Sequence, residues 1–316
     1  MKVYAYLFYL LLSGLSSLCA QHGTDHFEDF KIFNEEIELL GQLDLPKDSD
    51  KFEVVVFVHG SGNIDRDGNQ GQFIQPAYIK QISTELNKQG IGVLRYDKRT
   101  ANPKNRDFLT GIQFTDYVDD LSLIVKTFDK DKRISGIHLL GHSQGSLVSA
   151  LAIAENEVKI KSFISLCGPA DGIGKVIVDQ ISAQNEGLGK IAQNHVHELM
   201  ATQEIKEVNP FLVSVFKKKN QSFFYSWMQY DPLKSITQIG IPFLAIGGGY
   251  DSQVPSTDAE KLAQNTKSGK HHIINNMNHV LKELNQKSDN LKSYQNDDFQ
   301  VHPQLVNILV AHLNQY

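Results

Sequence analysis

Cysteine is nearly absent from this chain of 316 residues, which contains only Cys19 and Cys167. Cys19 lies in an N-terminal segment that we predict to be removed, so the mature chain would keep a single thiol. An internal disulfide is then excluded, and stability has to come from the burial of apolar side chains. Hydrophobic residues make up 41% of the sequence, which is enough for a large core.

The chain also lacks an excess of positive charge, since its formal net charge is −5. A protein without an excess of positive charge has little electrostatic attraction for nucleic acid or for an anionic membrane surface, so we expect neither as a partner. The short basic run Lys217–Lys219 is interpreted as a solvated face.

Sequence patterns that hold metals and nucleotides are missing as well. His195 and His197 are two positions apart, so their side chains diverge on a helix, and no cluster of Cys and His occurs. The glycines Gly247–Gly249 follow a predicted strand but open no helix directly, and no glycine loop has the spacing of a phosphate or dinucleotide site. We therefore expect no metal and no cofactor.

The longest apolar run lies at the N-terminus. A lysine precedes an apolar stretch over Val3–Leu12, and a small residue, Ala20, ends the segment. This layout predicts a secretory signal peptide over residues 1–20, with export to the periplasm or the medium and no membrane insertion after cleavage. An uncleaved anchor is the alternative. Lipidation at Cys19 is not expected, because bulky Leu18 stands before it.

After this segment, predicted strands alternate with predicted helices. Strands are predicted at 53–58, 91–96, 134–140, 160–166, 241–246 and 271–274, and the first of them is a continuous β-branched run, as expected of a strand buried on both faces. Such alternation predicts the α/β class with a mainly parallel, doubly wound sheet. Strand patterns stop over residues 171–230, where the pattern is helical. We interpret this part as a helical cap inserted in a sheet domain of residues 21–170 and 231–316.

A Gly-x-Ser-x-Gly pentapeptide, Gly141–Gly145, lies at the junction of a predicted strand and a predicted helix. A serine on such a sharp turn has strained dihedral angles, so the residues two positions away on each side must lack bulky side chains. The helix that follows aims its N-terminal amides and the positive end of its dipole at the reacting oxygen. The pattern predicts Ser143 as a nucleophile.

Three further stretches give the chain a resemblance to a known family. They are the loop His59–Gly62, the Asp-Arg-Asp-Gly stretch Asp65–Gly68, and Leu94–Arg99. With the pentapeptide, they resemble the α/β-hydrolase superfamily over essentially the whole mature length. The resemblance is to exported bacterial serine esterases in particular, with similarity to serine aminopeptidase-like and dienelactone-hydrolase-like members. It implies the α/β-hydrolase fold. Thr100 departs from the pattern, in which glycine usually follows the arginine.

In this fold a catalytic acid and then a histidine follow the nucleophile along the chain. The segment Gly249–Pro255, after a predicted strand, resembles the acid loop of the superfamily and makes Asp251 the candidate acid. Asp258 is a weaker alternative because it falls inside the next predicted helix. The loop after the following strand leads to His279, which is the candidate base, whereas His302 comes too late in the chain.

The tetrahedral intermediate of acyl transfer carries a negative oxygen that needs two backbone N–H donors. The amide of Gln144, next to the nucleophile, is the first candidate. The second is the amide of Ser61, because glycines on both sides let this backbone approach a substrate closely. The His59 side chain is interpreted as structural, and the charged residues Asp65–Asp67 as ion-pairing groups that fix their loop.

Aromatic residues are concentrated in the predicted cap, and most of them would pack the cap onto the sheet. Some should line an apolar pocket for the acyl or alcohol part of a substrate, for which we select Met200, Phe216 and Trp227. The chain returns to the sheet domain at Asp231–Leu233.

The resemblance implies a carboxylic ester hydrolase that acts on a small-molecule ester through an acyl-enzyme. A serine peptidase of the aminopeptidase kind is one alternative, and it would need an acidic group in the cap to meet the substrate amine. The candidates for that group are Glu186, Glu198, Glu204 and Glu207. An acyl-thioester hydrolase is another alternative. A non-enzymatic binding protein would have a broken set of catalytic residues, whereas this set is complete in sequence.

Overall fold

A computed structural model describes residues 26–47, 49–155 and 159–316. The predicted signal peptide, residues 1–20, lies outside the described residues, as does Cys19. Cys167 is a free and buried cysteine. In the part of the chain that is described, no helix is both long and apolar enough to cross a bilayer.

One sheet of eight strands forms the centre of the described structure. The strands are β1 Phe27–Asn34, β2 Ile37–Asp44, β3 Phe52–Val58, β4 Gly92–Tyr96, β5 Ile134–His142, β6 Ile160–Leu166, β7 Phe243–Gly248 and β8 Gly269–Ile274. Their order is β1-β2-β4-β3-β5-β6-β7-β8. The pairings β1–β2 and β2–β4 are antiparallel, and the other neighbours run parallel. The predicted α/β class with a mainly parallel sheet is confirmed.

The sheet begins with a hairpin of β1 and β2 that a search for apolar runs does not detect. Half of the residues in β1 are polar, and most of the strand is exposed, so no continuous apolar stretch marks it. In β2, Ile37, Leu39 and Leu43 are buried, but polar residues interrupt them. An edge hairpin with one solvent-exposed face has this mixed pattern of apolar and polar residues.

Helices cover both faces of the sheet. They are α1 Tyr78–Asn87, α2 Thr115–Phe128, α3 Gln144–Glu155, α4 Ile173–Gln184, α5 Glu186–Thr202, α6 Val213–Phe216, α7 Lys218–Met228, α8 Pro232–Ile236, α9 Thr257–Gln264, α10 Asn290–Ser293 and α11 Pro303–Leu313. Val54, Val56 and Val58 of β3 share one apolar cluster with α2, α3 and α9, while Val55 and Phe57 share another with α1 and α11. A strand with both faces covered in this way reads as a continuous apolar run.

The helices α4 to α7 lie between β6 and β7, in the range where the sequence predicts a cap. They have a small core of their own, which consists of Ile177, Ala192, Leu199, Ile205, Leu212 and Phe216. A short 3₁₀ helix, Pro210–Leu212, interrupts them. Two other 3₁₀ helices lie at Pro103–Phe108 and Lys287–Asp289.

A buried ion pair joins the loop after β4 to α2. Arg99 donates to both carboxylate oxygens of Asp120 at 2.7 Å, and Asn34 at the end of β1 donates to the same carboxylate at 2.8 Å. The side chains of Arg99 and Asp120 are 7% and 3% exposed. Removal of either partner from this buried, bidentate ion pair would leave an uncompensated charge in the interior, which lowers stability.

Asp120→Asn is expected to lower the free energy of unfolding by about 3–5 kcal/mol, because Arg99 would stay buried without a counter-charge. The control is Asp116→Asn, since that carboxylate lies 3.5 Å from Arg99 and is 31% exposed. For the control we expect a loss of about 1 kcal/mol or less. Urea titration followed by circular dichroism measures both variants. Equal losses would contradict the importance given to the buried pair.

Candidate active site

Ser143 stands on a sharp turn between β5 and α3. β5 ends at His142, α3 begins at Gln144, and Ser143 between them has a φ of +52°. A serine in the left-handed region is strained and stays there only when its surroundings enforce it. Here the Ser143 amide donates to the carbonyl oxygen of Leu166 at 2.9 Å, and its own carbonyl accepts from the amide of Ser146 at 3.0 Å.

The two glycines of the pentapeptide are required by close backbone contacts. A Cβ atom on Gly145 would lie 2.2 Å from the carbonyl oxygen of Val58 and 2.6 Å from that of His59. A Cβ atom on Gly141 would lie 2.6 Å from the carbonyl oxygen of Gly145. Any side chain at these positions would push α3 away from β3 and β5. The glycine spacing in the sequence therefore reflects how these three elements pack.

Asp251 and His279 meet beyond the ends of β7 and β8. Asp251 Oδ2 and His279 Nδ1 are 2.7 Å apart. Asp251 Oδ1 accepts from the amides of Gln253 at 2.7 Å and Val254 at 3.0 Å. Because both carboxylate oxygens are occupied, Asp251 fixes the imidazole with Nδ1 towards it, which leaves Nε2 to exchange a proton.

The Asp251 carboxyl is buried, with 1% of its side chain exposed. Burial raises its pKa, but the charge of His279, the hydrogen bond between the two side chains and the amides of Val254 and Gln253 outweigh this effect. The net pKa lies below the ordinary value. Asp251 is therefore ionised at neutral pH, and its negative charge lies beside the His279 ring.

Cys167 is a third side chain in this group, and no sequence pattern indicates its presence there. Ligand atoms of Cys167, Asp251 and His279 all lie within 4.8 Å of one another. Burial, with the nearby charge of Asp251, raises the pKa of the Cys167 thiol. The thiol stays protonated and can donate a hydrogen bond to the Asp251 carboxylate. That carboxylate is also hydrogen-bonded to His279.

His142, inside the pentapeptide, supports the backbone of the candidate base. Its Nε2 donates to the carbonyl oxygen of His279 at 2.8 Å, and its Nδ1 lies 3.3 Å from the hydroxyl of Tyr78. Burial lowers the pKa of His142 to about 3, so the ring is neutral at neutral pH. The donation to a carbonyl places its proton on Nε2. The pentapeptide pattern includes the position of His142 but does not indicate this role.

Ser61 lies on a loop that runs directly against the Ser143 turn. A Cβ atom on Gly60 would lie 3.0 Å from His142 Nδ1 and 3.2 Å from Ser143 Cβ. Ser61 lines the same cavity as Ser143. Among the described residues, no acceptor is bonded to the Ser61 amide. The loop is thus close enough to the candidate nucleophile to present a donor.

Gln144 is the first residue of α3, so its amide has no acceptor within the helix. Gln144 also lines the cavity beside Ser143 and His279. Both residues whose amides are proposed from the sequence as oxyanion donors, Ser61 and Gln144, therefore line one cavity with Ser143.

A cavity of about 450 Å³ borders Ser143 and is lined by the sheet domain and the cap. Apolar side chains supply much of the lining, with Ile64, Pro76 and Val280 from the sheet domain and Ile177, Val215 and Trp227 from the cap. The polar lining consists of amide, hydroxyl and imidazole groups. Among the described residues that line this cavity there is no aspartate, glutamate, lysine or arginine. An uncharged ligand with apolar groups fits such a surface.

The structure brings one of the three selected cap residues, Trp227, to this cavity. Phe216 lies elsewhere, because it is fully buried in the cap core with Leu212 and meets His195 edge to face. Met200 also lies elsewhere, since it is 41% exposed on α5. The expectation for Phe216 and Met200 is corrected accordingly. An apolar residue in a cap helix can face the cap core or solvent as well as the sheet.

The charged loop after the Ser61 segment is held by ion pairs, as the sequence suggested. Arg66 pairs with Asp97 at 2.8 Å, and Asp67 pairs with Arg95. Asp65 accepts from the amides of Asp67 and, at 2.8 Å, Asn69. None of these charged residues lines the cavity.

The weaker candidates for the acid and the base also have structural roles. Asp258 accepts from the amide of Ala170 at 3.0 Å and pairs with Lys261 at 2.8 Å. His302 caps α11 by accepting from the amide of Gln304 at 3.1 Å. These contacts leave Asp251 as the carboxylate that orients His279.

Comparisons with known proteins relate the chain to hydrolases. The family described as serine aminopeptidase, S33, matches residues 74–219. Esterase EstD of Thermotoga maritima is 31% identical over 250 residues, which are 77% of this chain and 58% of the relative. The chain thus spans somewhat more than half the length of that curated relative.

Solved structures share the fold at low sequence identity. Est1E from Butyrivibrio proteoclasticus has a TM-score of 0.58 at 16% identity, over 90% of this chain and 99% of that one. Dienelactone hydrolase from Anabaena variabilis has a TM-score of 0.56 at 14% identity, over 92% of this chain and 98% of that one. Likeness at such identities establishes the fold alone.

Gly145→Ala is expected to lower the free energy of unfolding by about 1–3 kcal/mol, because the new methyl group would collide with the Val58 and His59 carbonyl oxygens. The control is Gly240→Ala, where an added Cβ meets nothing within 4 Å, and we expect no loss. Urea unfolding of the two purified variants makes the comparison. Wild-type stability for Gly145→Ala would contradict the packing argument.

Proposed function

We propose that this chain, which belongs to the α/β-hydrolase superfamily, is a serine hydrolase that cleaves carboxylic esters through an acyl-enzyme intermediate. One observation carries the proposal. Ser143 stands on a strained turn in the lining of the same cavity as His279, which is hydrogen-bonded to Asp251. A nucleophile, a base and an orienting acid are the set that acyl transfer needs.

In the proposed reaction Ser143 Oγ attacks the carbonyl carbon of the ester while His279 Nε2 takes the hydroxyl proton. The carbonyl oxygen becomes an oxyanion, which accepts from the amides of Ser61 and Gln144. The bond to the alcohol oxygen then breaks, and the alcohol leaves with the proton from His279. Water attacks the acyl-enzyme in the same way and releases the carboxylic acid and free Ser143.

The lining of the cavity supports an uncharged ester as substrate. A peptide with a free amino terminus would bring an ammonium group, which is costly in an apolar cavity without a carboxylate partner. None of the four acidic cap residues considered for that purpose lines the cavity, namely Glu186, Glu198, Glu204 and Glu207. The esterase among the relatives agrees with this choice. The match to the serine aminopeptidase family makes peptide cleavage the second candidate.

We also propose that the protein is exported to the periplasm or the medium through the signal peptide predicted over residues 1–20. The support is the sequence pattern of a charged start, a short apolar stretch and a small-residue end. The remaining thiol suits such a destination, because burial raises the pKa of Cys167 and keeps it in the less reactive protonated form.

The wild-type protein is expected to hydrolyse short p-nitrophenyl esters and to be labelled at Ser143 by a fluorophosphonate. Ser143→Ala should do neither, because the attacking oxygen is gone. The control is Ser146→Ala, a nearby serine whose hydroxyl is bonded to Ser165, and it should still be labelled. Mass spectrometry locates the label. Labelling of Ser143→Ala would contradict the assignment.

The same preparation is assayed with an aminoacyl anilide and an acyl thioester, which separates the ester hydrolase from its two alternatives. The ester is expected to have the highest kcat/KM. A higher value for the anilide would favour the peptidase.

Asp251→Asn is expected to lower kcat for the ester by about 10⁴-fold, as in other Ser-His-Asp enzymes, because the amide stabilises the wrong tautomer of His279. Asp258→Asn serves as the matched control, since Asp258 is the alternative acid and is also buried. Its kcat should stay near the wild-type value. A large loss for Asp258→Asn with a small one for Asp251→Asn would reverse the assignment.

A further inference from the structure

Lys98 is buried behind the loop that carries Ser61. Only 5% of the residue is exposed. Its ammonium group donates to the carbonyl oxygen of Gly60 at 2.7 Å and to Gln144 Oε1 at 2.6 Å, and it lies 4.2 Å from the centre of the Tyr117 ring. One side chain thus connects the two segments whose amides are the proposed oxyanion donors.

A lysine in this place is costly for the fold. Burial lowers the pKa of Lys98 to about 7. The neighbouring carboxylates are engaged elsewhere, since Asp97 pairs with Arg66 and Asp120 pairs with Arg99. A buried amine held by a carbonyl, an amide and an aromatic ring, without a carboxylate, indicates a role beyond stability.

The hydrogen bond to Gly60 fixes the direction of the Ser61 amide. The Gly60 carbonyl and the Ser61 N–H belong to the same peptide unit, and in a trans unit these two groups point in opposite directions. No cis peptide bond occurs among the described residues. With the carbonyl directed at Lys98 in the interior, the N–H is directed away from Lys98, and Ser61 lies in the cavity lining.

This loop needs an external partner to hold that orientation. Glycines at 60 and 62 leave its backbone free to rotate, and Gly62 has a φ of +107° that other residues rarely adopt. The Ser61 amide itself is bonded to no described acceptor. The Lys98 bond to Gly60 is therefore a restraint on the plane of this peptide unit.

The second hydrogen bond of Lys98 acts at the start of α3. The Gln144 residue is 2% exposed, and its side-chain oxygen is held by Lys98. The amide of the same residue is the other proposed donor. Restraining this side chain restrains the first turn of the helix directly after Ser143.

We propose that Lys98 is a positioning residue that orients and polarises the Ser61 and Gln144 amides for an oxyanion. The inference rests on the proposed function. A cation bonded to a peptide carbonyl strengthens the N–H of the same unit as a donor. In its protonated form, Lys98 also lowers the energy of a negative oxygen held at the far side of that unit, through its positive charge.

Lys282 offers the same chemistry away from the oxyanion segments. It is fully buried, and it donates to the carbonyl oxygen of Phe299 at 2.7 Å and to Gln81 Oε1 at 2.7 Å. Burial lowers its pKa to about 7 as well. If Lys98 only stabilises the fold, as Lys282 does, then substitution of either lysine should change stability and kinetics in the same way.

The test compares Lys98→Met with Lys282→Met in the full chain. Kinetics use a p-nitrophenyl ester, and inhibition uses two analogues of the same shape. A trifluoromethyl ketone forms an oxyanion with the serine, whereas an ether analogue has no carbonyl and cannot. For Lys98→Met we expect kcat to fall by about 10²-fold, at the lower end of the effect of losing one oxyanion donor, with KM nearly unchanged.

The inhibition constant of the trifluoromethyl ketone should rise in Lys98→Met in proportion to the loss in kcat, while that of the ether stays constant. Lys282→Met should keep wild-type kcat and ketone affinity even where its stability falls. The inference would be overturned by a kcat near the wild-type value in Lys98→Met. It would also be overturned if that variant lost ketone and ether binding equally, or if Lys282→Met showed the same kinetic loss.

If Lys98→Met does not fold, Lys98→Gln replaces it, because the amide keeps a neutral N–H donor of shorter reach. The same selective loss of ketone affinity is then expected, and wild-type affinity overturns the inference. Failure of the proposed function is distinguishable, because the wild type would then show neither ester turnover nor fluorophosphonate labelling at Ser143.

Discussion

The α3 helix can begin directly at the end of β5 because Gly145 lies against the carbonyl oxygens of Val58 and His59. This contact brings β3, β5 and α3 closer together than a residue with a side chain would permit. The turn between β5 and α3 is then forced into the left-handed region at Ser143. The chain that leaves β3 has to pass beside that turn, so Ser61 and Ser143 line one cavity. One backbone contact therefore determines where the proposed nucleophile, Ser143, and one proposed oxyanion donor, Ser61, lie.

The direction of the strands brings the other groups to the same place. β5, β7 and β8 run parallel, so the loops after them, which carry Ser143, Asp251 and His279, emerge at one edge of the sheet. Hydrogen bonds then fix the loops relative to one another. The Tyr250 amide donates to the Met277 carbonyl oxygen at 2.9 Å, which joins the acid loop to the base loop. His142 joins the Ser143 turn to the backbone of His279.

The parallel part of the sheet could be predicted, as could the places of Ser143 and Asp251, because each of these two residues follows an apolar strand. His279 could be placed because it lies on the loop after the next predicted strand, although that strand is mostly exposed. The β1–β2 hairpin could not be predicted, since an edge hairpin with a solvent-exposed face has no continuous apolar run. Phe216 and Met200 could not be placed, because helical periodicity identifies an apolar stripe but not the neighbour that covers it. The buried surroundings of Lys98 are formed by three segments that are distant in sequence, which contain Gly60, Tyr117 and Gln144. A local sequence pattern carries no information about contacts between such distant segments.

The transition state of the proposed reaction contains an imidazolium and an oxyanion, whereas the substrate is uncharged. Ionised Asp251 lies behind the ring that becomes positive, and Lys98 lies behind the peptide unit that donates to the oxygen that becomes negative. Between them, the described residues that line the cavity carry no carboxylate, ammonium or guanidinium group. An uncharged ester is then bound through apolar surface, and the carboxylate of Asp251 and the protonated amine of Lys98 interact strongly with the reacting groups only when charge develops. Interactions that are stronger in the transition state than in the bound substrate are the ones that lower the barrier.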